Sequence, residues 1–204
     1  MSSIPDSCDL TPAAPWAAVA PAAGEDLWVF GYGSLMWNPG FEATERVLAL
    51  LKGYHRSFCV FSHRYRGTPV RPGLVLGLDH GGSCRGLLLR VPAPQVDPVL
   101  AYLWDREMPN NVYRVRRLPV RRLDGGCPAV VRACCFLADR NHGHYCGDLE
   151  GAERVRLIRE GVGIKGANAD YLSATVQHLR DLGIVDTALE TLHDAVIGGP
   201  GREG

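Results

Sequence analysis

Apolar and polar positions along this chain follow two regimes. From Leu27 to Leu137 the apolar residues come mostly in short runs broken by Gly, Pro or Asn, and beyond that they recur every third or fourth position. Leu27–Phe30 is a short unbroken apolar run, the pattern of a strand buried on both faces. Glu45–Leu51 and Tyr54–Phe61 are rich in Val, Leu and aromatics and are divided at Gly53, which predicts two strands. Gly73–Leu78 and Cys84–Val91 flank Asp79-His80-Gly81-Gly82, a hairpin signal. Tyr113–Leu123 and Ala129–Leu137 flank Gly125-Gly126 in the same way. One helix interrupts the strands. Val96, Val99, Leu100 and Leu103 stand at i, i+3, i+4 and i+7, predicting a helix over Pro94–Arg106 that closes at Asp105–Met108 and stops at Pro109-Asn110-Asn111.

After the polar, histidine-containing loop Asn141–Gly147 the pattern is helical. Ala152–Gly161 turns Val155 and Ile158 inward. Ala169–Leu182 lines up Leu172, Val176 and Leu179, with Asn168 as the expected N-cap and Gly183 as the C′ stop. Thr187–Ile197 is a third helix. Residues 1–24, rich in Ala, Pro and Ser without periodicity, read as a disordered leader, and 198–204 as a flexible tail. The sum is one α+β domain over 25–197, its sheet largely antiparallel and barrel-like.

Composition mainly excludes. Twenty-two basic residues balance 22 acidic ones, so no global charge points to nucleic acid or an acidic membrane surface. No apolar run approaches the roughly 18 residues of a membrane span, and the N-terminus lacks the charged and apolar regions of a signal peptide. The seven cysteines form an odd set without CxxC pairs, and several sit in apolar runs. Free thiols in a reducing cytoplasm are expected.

Two places carry candidate chemistry. The buried run ending at Phe30 opens into Gly31-Tyr32-Gly33-Ser34, where glycines let a ligand approach the backbone and successive N–H groups can converge on an anion. A tight turn between strands is the plainer alternative. Ser34 lacks the glycines two places either side that a nucleophile elbow needs, and the loop matches neither a Walker nor a dinucleotide fingerprint; a ligand donor is the better role. Glu107 ends the 94–106 helix, where carbonyl dipoles and burial against Trp104 or Met108 both raise a carboxyl pKa. Arg106 would oppose that, although its side chain should project about 100° away around the helix. Such a glutamate is either a solvated helix end or a general acid/base. His142, His144 and Cys146, with Cys134 and Cys135, match no zinc spacing, so no metal is expected. Arg114, Arg116, Arg117, Arg121 and Arg122 lack interleaved aromatics of the nucleic-acid-binding kind and read as a solvated sheet face.

Taken together, these pieces resemble the ChaC family of glutathione-specific γ-glutamylcyclotransferases, closest to its bacterial branch. Val29-Phe30-Gly31-Tyr32-Gly33-Ser34-Leu35-Met36-Trp37 resembles the family's substrate loop. Arg66-Gly67-Thr68-Pro69, Pro72-Gly73, Leu103-Trp104-Asp105-Arg106-Glu107-Met108, Tyr113 and Gly166-Ala167-Asn168-Ala169-Asp170-Tyr171-Leu172 follow in the family's order, over residues 27–197. The resemblance implies a γ-glutamylcyclotransferase-like fold and a reaction that cyclises the γ-glutamyl group of glutathione to 5-oxoproline, releasing Cys-Gly. It implies Val29, Phe30, Gly31, Tyr32, Gly33, Ser34 and Leu35 as the substrate-holding loop, Glu107 as the catalytic acid/base and Tyr171 beside the substrate. It implies no metal, no cofactor and no partner beyond glutathione, and it is compatible with a monomer. Two departures bear on the pocket wall: Cys59 stands where animal members often carry tryptophan, and Asn110-Asn111-Val112 replaces a glycine-rich segment. The alternatives are a cyclotransferase for other γ-glutamyl peptides or amines, and a non-catalytic small-molecule binder on the same fold.

Overall fold

A computed structural model describes residues 14–198 of the chain. Five strands close a barrel: β1 (Leu27–Gly31), β2 (Glu45–Ser62), β3 (Gly73–Val91), β4 (Tyr113–Arg122) and β5 (Val130–Ala138), in the order β1-β3-β2-β4-β5. Neighbours are antiparallel except where β5 returns parallel to β1, pairing Trp28 with Ala133 and Val29 with Cys134, and touches β3 at Leu78–Leu137. Closure satisfies the outer strands without leaving an edge open to other chains. Phe30, Phe58, Leu74, Leu88 and Phe136 are fully buried. The α+β barrel expected from the sequence is therefore the one observed.

The hairpin expected at Asp79–Gly82 is absent. Residues 73–91 form one continuous strand, paired with β2 from Ser62–Gly73 through to Glu45–Arg90. Gly53 (φ +85°) lies level with Gly81 (φ +103°) and Gly82 (φ +67°), and the register shifts between Lys52 and Tyr54. Left-handed glycines can serve a bulge as well as a turn. Because both strands break at the same level, each bends and continues. The same reason merges the two strands expected on either side of Gly53.

Four helices pack around the barrel. In α1 (Val96–Glu107), Val96, Val99, Leu100 and Leu103 are buried, as their spacing predicts. In α2 (Gly151–Glu160), Leu157 and Ile158 are buried and Val155 is partly so. A short ribbon, β6 (Val162–Gly163) with β7 (Gly166–Ala167), leads into α3 (Asn168–Asp181), and α4 (Thr187–Ile197) follows. Gly183 ends α3 at φ +66°, with the Ile184 N–H bonded back to the Leu179 carbonyl at 2.8 Å. Asn168 is not the N-cap. It is the first helical residue, fully buried, and its amide accepts from the Leu74 N–H at 2.5 Å and donates to the Leu74 carbonyl at 2.7 Å. The side-chain amide thus acts as a peptide group at the end of β3 and fixes where α3 starts. Asn168→Ala would deprive both Leu74 groups of partners, at about 1–3 kcal/mol each; chemical denaturation should show the loss, and unchanged stability would refute this role.

The stretch expected to be a disordered leader is packed where it is described. Ala17–Val19 forms a 3-10 turn, Val19 is buried, Trp16 lies against Trp104, and Arg117 donates to the Ala20 carbonyl. Apolar Trp16 and Val19 supply the burial that the Ala/Pro-rich composition conceals. Residues 1–13 and 199–204, the rest of the expected leader and tail, lie outside the described residues. Cys59, Cys84, Cys134, Cys135 and Cys146 are buried free thiols, and Cys127 is exposed.

Candidate active site

β1 carries the chain up through the barrel and releases it at Gly31 into a 3-10 turn over Ser34–Met36. The turn closes on itself, Met36 N–H to the Gly33 carbonyl at 2.9 Å and Asn38 N–H to the Ser34 carbonyl at 2.8 Å. Gly31 eases this fold-back, since a Cβ there would lie a tight 3.3 Å from the Met36 nitrogen. The N–H groups of Gly33, Ser34 and Leu35 open the turn and have no acceptor among the described residues. They line a cleft of about 710 Å³.

Of the loop residues implied by the resemblance, Tyr32, Gly33, Ser34 and Leu35 line that cleft together with Glu107 and Tyr171. Val29, Phe30 and Gly31 belong to β1 beneath it, with the first two side chains in the core. Asn110 and Val112 also line the cleft; Cys59 does not, its sulfur being buried against Gly77.

Glu107 is the last residue of α1, its side chain 18% exposed. Burial pushes its carboxyl above the ordinary glutamate range, and the Arg106 guanidinium pulls it partly back. The expectation that Arg106 points away is overturned: its Nε sits 3.0 Å from Glu107 Oε1. Cβ directions 100° apart do not decide where a long side chain ends. Here the other guanidinium nitrogens are taken by the Asn38 carbonyl at 2.7 Å and Ser34 Oγ at 2.9 Å, which fold the side chain across the helix end. Arg106 therefore ties the acid to the loop facing it. Three tyrosines line the same cleft as the carboxylate. Burial first, and then the Glu107 charge among its neighbours, keeps Tyr32, Tyr113 and Tyr171 protonated, the last at about 12. Tyr113 donates to the Leu76 carbonyl at 2.8 Å, and Tyr171 packs edge-on to Phe58.

Sequence patterns did not single out Arg56. Its side chain is 1% exposed; Nε donates to the Tyr32 carbonyl, Nη2 to the Arg85 carbonyl at 2.6 Å, and Nη1 pairs with Asp186 at 2.6 Å. Asp186 also caps α4 through the Leu189 N–H. One buried cation thus fastens the loop to β3 and to α4. Its signal was the two-residue strand period, which puts Arg56 on the same face as buried Phe58.

At Gly33 a Cβ would stand 3.3 Å from the Leu76 side chain and 4.0 Å from the Tyr171 hydroxyl. Gly33→Val, branching into that gap, should raise KM for the cleft's ligand at least tenfold with the fold intact; an unchanged KM would show that nothing binds against this residue.

The family model for ChaC-like proteins matches residues 27–198. The chain is 39% identical over 167 residues to the glutathione-specific γ-glutamylcyclotransferase of Escherichia coli, covering 81% of this chain and 71% of that protein. It is 32% identical to the Schizosaccharomyces pombe protein of the same name, covering 76% and 84%. Among solved structures, the yeast γ-glutamyl cyclotransferase specific to glutathione superposes with a TM-score of 0.75 at 22% identity, over 84% of this chain and 95% of that one.

Proposed function

The chain belongs to the ChaC-like family, and from that footing we propose that it is a glutathione-specific γ-glutamylcyclotransferase in which Glu107 is the general acid and base. The observation that carries the assignment is a half-buried carboxylate, raised in pKa, in the same cleft as a loop whose N–H groups have no acceptor among the described residues.

The substrate's own α-amine is the nucleophile. Glu107 takes a proton from the ammonium, the freed amine attacks the γ-carbonyl, and a five-membered ring closes. As the γ-amide C–N bond breaks, Glu107 returns the proton to the departing amine of Cys-Gly, and the ring nitrogen releases its second proton to solvent. Since nucleophile and carbonyl share one chain, holding the glutamyl group curled captures a proximity advantage of about 7–11 kcal/mol. The N–H groups of Gly33–Leu35 stabilise the tetrahedral oxyanion. Tyr32, Tyr113 and Tyr171 wall the reacting atoms from water, so cyclisation outruns hydrolysis. Ser34, held by Arg106, serves as a substrate donor and not as a nucleophile. The sequence uses neither a metal nor a cofactor.

The test is to incubate the protein with glutathione and follow 5-oxoproline and Cys-Gly, which should appear in equal amounts. Free glutamate would mean hydrolysis, and binding without turnover a non-catalytic role. A panel of other γ-glutamyl peptides and amines decides glutathione specificity, with glutathione expected to be preferred. The pH dependence follows from the raised carboxyl. The base must be ionised, so kcat/KM should rise with pH through a midpoint above the ordinary glutamate range; an acid limb below about 4.3 would contradict the burial of Glu107.

No helix among the described residues is long and apolar enough to cross a membrane. We assign the enzyme to the reducing cytoplasm, which suits its buried free thiols.

A further inference from the structure

Part of the lining of the cleft is cationic. Arg66, Arg64 and Lys165 all line it, and none has a carboxylate partner among the described residues. Arg106, by contrast, is neutralised by Glu107.

Arg66 is the one held in place. Its backbone N–H donates to Ser62 Oγ at 3.0 Å, and Nη1 donates to the carbonyls of Lys165 at 2.6 Å and Ala167 at 3.2 Å. The guanidinium lies 4.9 Å from the centre of the Tyr171 ring. These contacts use one of its three nitrogens; Nε and Nη2 have no acceptor among the described residues. A half-buried guanidinium, immobilised by backbone and stacked on a ring, is organised for a carboxylate.

Position selects which carboxylate. The Tyr171 hydroxyl is 4.0 Å from where a Gly33 Cβ would stand, and Arg66 lies over the same ring. Loop and guanidinium are therefore at most on the order of 10 Å apart, a gap within reach of an extended Cys-Gly unit, two residues at about 3.5 Å each. On the γ-glutamyl reading above, the glutamyl end sits against the open N–H groups of Gly33–Leu35, which leaves the C-terminal carboxylate for Arg66.

We propose that Arg66, with Lys165 beside it, receives the C-terminal glycine carboxylate of the substrate and so makes the enzyme prefer the tripeptide over γ-glutamylcysteine. The inference rests on the γ-glutamyl reading above and adds to it a residue that sets specificity without taking part in proton transfer.

Arg66→Gln, Arg66→Lys and Lys165→Gln are compared on glutathione and γ-glutamylcysteine. Losing charged hydrogen bonds to a carboxylate should lower kcat/KM for glutathione by about 10–100-fold in Arg66→Gln, through KM, so that the preference for glutathione collapses towards unity. Arg66→Lys should restore part of it. Lys165→Gln, which keeps the backbone carbonyl that Arg66 uses, should lose a smaller part. Equal losses on both substrates would overturn the proposal, since Arg66 would then act on the glutamyl end or on Tyr171; so would a retained preference in Arg66→Gln. Calorimetric binding of the two peptides to Glu107→Gln, with and without Arg66→Gln, reads the same preference without turnover. If the parent protein makes no 5-oxoproline from either peptide, the functional reading fails while the subsite is still judged by this binding difference.

Discussion

Glu107→Gln should slow 5-oxoproline formation by about 10²–10⁴-fold, the range that positioned acid–base catalysis contributes, while KM for glutathione stays within a few-fold. The substitution is close to isosteric, and the amide oxygen can still accept from Arg106 Nε, which now sits 3.0 Å from Glu107 Oε1. The loop, held through Arg106 and Ser34 Oγ, should keep its place. What the variant lacks is a group able to accept the ammonium proton and return it to the leaving amine. The loss should therefore fall on kcat, the signature of an interaction realised only in the transition state. The acid limb assigned to Glu107 should vanish from the residual activity. Turnover near the parent rate would remove Glu107 from the mechanism.

The second large effect lies away from the chemistry. Arg56→Met should destabilise the protein by about 3–5 kcal/mol, because truncating one partner of a buried ion pair strands the other. Asp186 would keep a charge only 19% exposed, and the Tyr32 and Arg85 carbonyls would lose their donor. For a chain of this size the melting temperature should drop on the order of 10 °C, and KM should rise as the loop loosens at Tyr32. Asp186→Asn separates two roles, since asparagine caps a helix about as well as aspartate but cannot pair ionically with Arg56. It should therefore cost stability while leaving α4 formed. A parent-like melting temperature in both variants would mean that the Arg56 pair holds nothing.

Local pattern made the helices and the barrel class readable before any coordinates. The α1 stripe from Val96 to Leu103 and the Gly183 stop rest on neighbours within a turn, and they appear where their spacing puts them. The misread stretches depended on a distant partner. Gly81-Gly82 carries the composition of a hairpin, and only the break at Gly53 level with it makes a bulge. Asn168 has the chemistry of a cap, and only the approach of Leu74, 94 positions earlier, gives its amide other bonds. Arg106 seemed turned away from Glu107 until the carbonyls of Asn38 and Pro39 folded it back.

By itself, then, the order of residues determined most of the strand and helix segments, an α+β class with a barrel-like sheet, and that its loop, glutamate and Tyr171 share a family's motifs. These follow from periodicity, from glycine's backbone freedom and from residue identity, all of which act over a few positions. Only the tertiary structure decided that Glu107 is half-buried in the cleft the loop lines, that Arg106 ties the two together, and that Arg56 fastens the loop. Burial and ion pairing depend on which groups meet in space, and here those groups come from positions tens of residues apart.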